Sequence, residues 1–247
     1  MTLETLPQQF LPTEQVFNLR DLGGLDAAGG KKVRSGRVFR SDNFGQATEA
    51  DIDYVVNELG VRHVIDLRRP AELEQTGRFP ETEGVTFHHF ELLHIAWESV
   101  ELQVYNDSPQ EEIVTFLRQR YSGMMEAGYR AIRDSLEVIA LGEPVVFHCM
   151  AGKDRTGIIA ALLLSLLGVD EEDIAADYEL SNVGITRWRA WRDANVGKPT
   201  VDRGLRTPAE AMRETLDEMN ARFGSLGAYA RAIGFDKADR LRELLLE

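Results

Sequence analysis

Cysteine is almost missing: one residue, Cys149, stands in a chain of 247. An internal disulfide is therefore excluded, and so is a zinc site built on paired cysteines. A lone thiol also fits a reducing compartment. No apolar run reaches the ~18 residues that a membrane span needs, so no stable membrane insertion is expected. The opening residues, "MTLETLPQQF", hold neither a basic stretch nor an apolar core. A secretory signal peptide is not expected, and a cytoplasmic location is, with a leaderless export route left open. Positive charge is scarce as well: 28 Lys and Arg face 41 Asp and Glu, a formal net charge of −13. A general nucleic-acid binder would show the opposite balance, and loose attachment to an anionic bilayer is disfavoured too. Any anionic ligand must be captured by a local positive site. No tract rich in Pro, Gly or Ser divides the chain, and no repeat is visible. One domain over 1–247 is expected.

What is present is a run of short β-branched segments separated by helical ones. "VRHVIDL" (61–67), "VTFHHF" (85–90), "VVF" (145–147) and a piece around Val38 to Arg40 read as strands. "TEADIDYVVNELG" reads as a helix with Thr48 as N-cap and Gly60 as its stop. Helices are also expected over 129–141, 156–167, 170–182, 208–223 and 225–246, the last broken near Gly234. The 156–167 helix is apolar on every side and should be buried. Strands alternating with helices predict an α/β fold with a mainly parallel central sheet. A helical insertion with a mobile tip (about 97–128) and a helical C-terminal part (about 170–247) complete the expected organisation, both able to act as lid segments.

The single cysteine sits in "HCMAGKDRTG" (148–157), between an apolar strand and an apolar helix. A strand, a tight loop and a helix N-terminus make an anion cradle: loop N–H groups face inward and the helix dipole adds positive potential. Met150, Ala151, Gly152, Lys153 and Asp154 form the loop, and Arg155 can grip two phosphate oxygens with its planar fork. A positive field favours the thiolate, the nucleophilic form of cysteine. His148 can bond the loop backbone, and the Thr156 hydroxyl can donate to the sulfur. The chemistry these parts predict is in-line attack by Cys149 on phosphorus. Arg155 and the loop amides stabilise the spreading charge, and water hydrolyses the cysteinyl-phosphate. It calls for no metal and no cofactor. A lone cysteine before an apolar helix is ordinarily a small buried hydrophobe, but a core has no use for Lys153, Asp154 and Arg155 in succession. A nucleotide-binding P-loop fails, because Gly152-Lys153 is followed by Asp154 and Phe147 stands where the first glycine belongs.

The ten-residue stretch resembles the Cys-x5-Arg signature of the protein tyrosine phosphatases, in the "AGKDRTG" form of a bacterial branch. "FNLRDLGG" (17–24), "GRVFRSD" (36–42), "VIDLR" (64–68), "ADYELSN" (176–182) and "FGSLGAYAR" (223–231) resemble that branch in the same order. The resemblance implies the tyrosine-phosphatase α/β fold, Cys149 as nucleophile and Arg155 as phosphate ligand. Lys153 loosely resembles phosphatases that also take phosphoinositides.

The pattern is incomplete at the general acid. Many tyrosine phosphatases carry it on a Trp-Pro-Asp loop, and no such tripeptide occurs here. The branch places an aspartate shortly after the strand matching "VTFHHF"; here the stretch reads "ELLHIAWES". Asp154 is placed first, because a catalytic acid must be within reach. Asp66 at a strand end follows, then Glu91 or Glu98 from the insertion. Asn18, Arg20 and Asp21 read as a brace for the loop, and Arg40 and Arg68 as structural ion pairs rather than a phosphate rim. Adjacent His88 and His89 point to opposite faces of a strand, one core and one surface, so they make no metal site. Tyr178, Trp188 and Trp191 read as core, with a hydrophobic lid as the alternative. The expected substrate is a phosphotyrosine protein or peptide, with dual specificity in reach. A phosphoinositide phosphatase, or a phosphate-binding module without turnover, are the alternatives.

Overall fold

The computed structural model describes residues 6–92, 108–196 and 206–247. A five-stranded mixed sheet is its centre, built from β1 (Arg20–Asp21), β4 (Val38–Ser41), β5 (His63–Asp66), β6 (Thr86–His89) and β7 (Val145–His148) in the order β1-β4-β7-β5-β6. The β4, β7, β5 and β6 strands are mutually parallel, and only β1 at the edge runs antiparallel. A small separate ribbon pairs β2 (Asp26–Ala27) with β3 (Lys31–Lys32). Every residue of β4, β5 and β7 is buried, as expected for parallel strands covered on both faces. Alternation along the strands divides the core in two. Val64, Val146 and Phe39 pack with Val16, Leu19, Val55 and Phe79 on one face. Ile65, Val145 and Phe147 join the larger helical layer on the other.

The helical layer follows from the chain's periodicity. The first helix, α1 (Glu49–Asp53), opens on a capping box between Thr48 and Asp51 and continues as a π-helical turn, Tyr54–Glu58, that the pattern did not announce. Next come α2 (Pro70–Thr76), α3 (Gln110–Ala127), α4 (Tyr129–Ile139) and α5 (Asp154–Leu167). The α5 helix buries 12 of its 14 residues, as the all-round apolar run from Ile158 to Leu167 demands. The expected helix over 170–182 is in fact two: α6 (Glu171–Glu179) ends at Leu180, and α7 runs on from Ser181 to Val196. Beyond them lie α8 (Ala209–Phe223), α9 (Leu226–Ala232) and α10 (Ala238–Leu245), with the expected break at Gly234, which has φ +93°. Of the expected insertion over about 97–128, residues 97–107, with Trp97 and Glu98, lie outside the described residues, and α3 makes up most of the rest. Among those described, no helix is long and apolar enough to cross a membrane.

The register places Ser41, His148 and Asp66 side by side at the carboxyl ends of β4, β7 and β5. The loop that begins at Cys149 thus leaves the middle of the sheet at the edge where α/β sheets hold their ligands.

Candidate active site

The loop from Cys149 to Arg155 owes its shape to its carbonyls. Leu67 N–H donates to His148 O at 2.9 Å, and both the Asn43 backbone N–H and its Nδ2 donate to Met150 O at 3.1 Å. Asn18 Nδ2 donates to Ala151 O at 2.9 Å and to Gly152 O at 3.2 Å; Arg40 Nη2 adds a bond to Gly152 O at 2.8 Å. In a trans peptide the next N–H points opposite to the carbonyl. Holding these oxygens against the brace therefore turns the N–H groups of Ala151, Gly152 and Lys153 the other way. Gly152 is required twice over: φ is +66°, and a Cβ would lie 2.4 Å from Ser41 O. Behind the loop, α5 starts at Asp154 with no cap from the Lys153 side chain, so its positive end faces the loop. Cys149 is buried at the base, and the buried Thr156 Oγ1 has no hydrogen-bond partner among the described residues. Losing Asn18 should loosen this frame. For Asn18→Ala we expect phosphate affinity to fall about tenfold, the scale of one lost buried hydrogen bond, in an inhibition assay; unchanged affinity removes Asn18 from the frame.

Arg155 is clamped by Glu72 on α2. Nη1 donates to Oε2 at 2.6 Å and Nη2 to Oε1 at 2.8 Å, both side chains being nearly buried. Burial pushes the Glu72 carboxyl upward, but the Arg155 hydrogen bonds and charge outweigh it and bring it down to about 2. Burial works against the charged guanidinium too, yet Glu72, then Cys149 and Asp154, hold Arg155 above its ordinary value. Glu72 reached this place through local chemistry: Pro70 opens α2, and Glu72 Oε2 accepts the Arg69 backbone N–H at 2.8 Å, capping the helix. On the other side of the loop, Asp154 Oδ1 accepts from Tyr121 Oη at 2.5 Å and lies 3.4 Å from Lys153 Nζ. Lys153 is itself buried.

The brace is strongly charged and buried, but Asp21 is not in it: half-buried, it accepts the Gly23 and Gly36 N–H groups at 2.8 and 2.7 Å. Asp177 lies between Arg20 Nε at 2.8 Å and Arg40 Nη1 at 2.5 Å, and Arg20 Nη1 reaches Asn18 Oδ1 at 2.5 Å. Burial, and Arg40 beside it, depress Arg20 to about 10. Asp42 accepts the N–H groups of Phe17 and Asn18 at 3.0 and 2.8 Å, and burial nevertheless pushes it up to about 6. Next to the loop opens a cavity of about 470 Å³. Met150 and Ala151 form its base, Ile185 and Trp188 of α7 one wall, and Asn43, Gln46 and Gln75 line it as well.

Comparison with known proteins places this geometry. The model of the Tyrosine phosphatase family matches residues 11–247. The chain belongs to that family. A tyrosine-protein phosphatase homologue of Cupriavidus necator is 32% identical over 232 residues, covering 90% of this chain and 82% of that protein. The triple specificity protein phosphatase PtpB of Mycobacterium tuberculosis is 27% identical over 274 residues, 93% of this chain and 96% of that one. Among solved structures, the catalytic domain of the PP-IP phosphatase SIW14 of S. cerevisiae aligns with a TM-score of 0.39 at 14% identity, over 76% of this chain and 91% of that chain. That global similarity is slight, and membership rests on the sequence match.

Within this family member, the sequence candidates fall into two groups. Cys149, Met150, Ala151, Gly152, Lys153, Asp154, Arg155 and Thr156 form one continuous loop and helix start, with His148 Nδ1 3.3 Å from Cys149 O. Asp66 stands behind it, with Oδ2 3.6 Å from His148 Nε2. Its oxygens bind Arg68 Nε at 2.9 Å and Nη2 at 2.7 Å in a fully buried pair, and it also accepts the Arg68 backbone N–H. Fully buried, Asp66 anchors Arg68 and backs His148 at the base of the loop. Arg40 and Arg68 both lie in buried ion pairs. Tyr178 is core, Trp191 packs 5.6 Å from Phe17, and Trp188 stands at the cavity with Arg192 stacked 4.7 Å above it. His88 is half-buried against His63 rather than in the core, because β6 is the sheet's edge; His89 is exposed and bonds Arg68 O at 2.7 Å. The sequence reading missed Glu72, Tyr121 and Asp42. Only Glu72 carried a local signal, the Arg-Pro-x-Glu helix start.

Proposed function

We propose that this chain is a cysteine-dependent protein-tyrosine phosphatase working through a cysteinyl-phosphate. The observation that carries the mechanism is the frame of outward-held carbonyls around Cys149, closed by the Glu72–Arg155 clamp. Glu72 occupies the end of the guanidinium, so Nε and the second N–H of Nη2 remain as a side-on fork for two phosphate oxygens. The Cys149 thiolate attacks phosphorus in line, the loop amides and Arg155 take up the charge, and the aryl oxygen leaves with a proton from Asp154. Thr156 donates its hydroxyl to the sulfur as water displaces it and inorganic phosphate departs.

Phosphotyrosine is favoured over a phosphoinositide by the cavity beside the loop. An aromatic ring finds Trp188 and Ile185 there, and among the described residues no Lys or Arg lines the cavity to hold a second phosphate. Lys153, the loop's other cation, turns to Asp154. The test begins with p-nitrophenyl phosphate in excess chelator, where turnover should persist. The kcat/KM for a phosphotyrosine peptide should then exceed that for a short-chain phosphoinositide by about tenfold or more, the worth of one to two kcal/mol of selective contact. Trp188→Ala should cost the peptide about fivefold, the scale of an aromatic contact, and leave the phosphoinositide unchanged. A phosphoinositide preference in the wild type replaces this reading of the substrate.

A further inference from the structure

Asp154 is held from behind by two tyrosines whose hydroxyls form a directed chain. Tyr121 Oη lies 2.5 Å from Asp154 Oδ1 and 2.5 Å from Tyr178 Oη. Each hydroxyl owns one proton, and a carboxylate oxygen only accepts. Against the ionised carboxylate, Tyr121 therefore commits its proton to Asp154, which leaves Tyr178 to donate to Tyr121. Burial first, and the Asp154 charge next, hold both phenols well above their ordinary range, so both keep their protons. The rings are fully buried and meet edge to face, with centroids 5.9 Å apart. The chain joins three separate elements: Tyr121 on α3, Tyr178 on α6, Asp154 at the start of α5. Gly157, one turn into α5, leaves room for it, since a Cβ there would sit 3.0 Å from Tyr178 Cδ2.

Two contacts thus converge on one oxygen of Asp154, Tyr121 Oη and Lys153 Nζ, both on Oδ1. We propose that Tyr121, backed by Tyr178, is a positioning residue that keeps Oδ1 as an acceptor, so that the proton to be transferred resides on Oδ2. As the P–O bond to the aryl group breaks, the Oδ2–H pair stays with Asp154 and the proton passes to the leaving oxygen. In the second step the resulting carboxylate takes a proton back from the attacking water. The inference rests on Asp154 being the general acid.

The measurement is kcat for phenyl phosphate, a poor leaving group, and for 2,4-dinitrophenyl phosphate, a good one, in Tyr121→Phe, Tyr178→Phe, Asp154→Asn and the Tyr121→Phe/Asp154→Asn double variant. Asp154→Asn should lose ~10²–10⁴-fold on phenyl phosphate and far less on the dinitrophenyl ester. Tyr121→Phe should lose about tenfold on phenyl phosphate, the scale of one charge-assisted hydrogen bond, with less than about a twofold loss on the other. Tyr178→Phe should fall in the same direction by about threefold, because it acts one bond further away. In the Asp154→Asn background, Tyr121→Phe should cost nothing more. A structural role would slow both esters alike, and that result, or a further loss in the double variant, overturns the positioning role while leaving the acid in place. If Asp154→Asn slows both esters equally, the acid assignment itself fails and the positioning role falls with it. Should Tyr121→Phe not fold, the same cycle run with Tyr178→Phe decides the question, with equal losses on the two esters again overturning it.

Discussion

Replacing Cys149 with serine is expected to abolish turnover, by roughly 10⁴-fold or more as for other obligate nucleophiles, while phosphate still binds. A serine hydroxyl is a far poorer nucleophile than a thiolate, and the adjacent His148 is not placed to activate it: its Nδ1 faces Cys149 O, not the side chain. Binding should survive because none of its parts depends on sulfur. The Asn18, Arg40 and Asn43 bonds that turn the loop amides remain, and so does the Glu72–Arg155 clamp. Two measurements are paired: single-turnover trapping of phosphoenzyme from a labelled aryl phosphate, and a phosphate or vanadate titration of the variant. The wild type should trap phosphate on Cys149 and the variant should not, with ligand affinity within about threefold of wild type, less than the worth of one hydrogen bond. Retained turnover in Cys149→Ser sinks the covalent mechanism. Loss of turnover together with loss of binding makes Cys149 a packing residue whose sulfur supports the frame.

How far the sequence could be read depends on the distance between partners. The loop is legible because its chemistry is contiguous: the cysteine, Gly152 and two cations stand within ten consecutive residues, between an apolar strand and an apolar helix. The parallel sheet is legible because β4, β5 and β7 each carry a short β-branched or apolar core (Val38-Phe39, Val64-Ile65, Val145 to Phe147) and are buried along their whole length. The residues that complete the site are remote. Arg155 meets Glu72 across 83 positions, Asp154 meets Tyr121 across 33, and Asn18 meets Ala151 across 133. No spacing rule covers such pairs. They become visible only once β5, β7 and α3 converge on one end of the sheet. Asp66 misleads for the same reason: a strand-end aspartate looks available until Arg68, two residues on, folds back and takes both oxygens. The join of α6 and α7 was hidden because Leu180 carries no breaker, and the turn there is set by Ser181, buried beside Arg20 and Arg40.

Glu72→Gln should cost both activity and stability, and the two losses have one origin. In the wild type the carboxylate fixes the guanidinium end-on, so that only the side-on fork is left to the phosphate. Glutamine has nearly the same shape but can accept only one of the two bonds, and its amide N–H groups oppose the remaining guanidinium hydrogens. Arg155 then stands nearly buried without a counter-charge at that edge. Breaking one side of a buried pair costs ~3–5 kcal/mol, and some solvent access near Glu72 should bring the loss to the lower end. The kcat/KM should drop about a hundredfold as the fork loses its orientation. Because burial is outweighed by Arg155, Glu72 sits at about 2 in the folded chain, below the ordinary value of 4.5. A lowered carboxyl contributes stability that is complete above the unfolded value and is lost as pH falls through the folded one. The gap in urea midpoint between wild type and Glu72→Gln should therefore be constant from pH 7 to about 5 and shrink steadily from about 4.5 toward 2. A gap that stays constant down to pH 3 removes the ionic origin and leaves a shape effect. Unchanged kcat/KM would show that Arg155 finds its phosphate without the clamp.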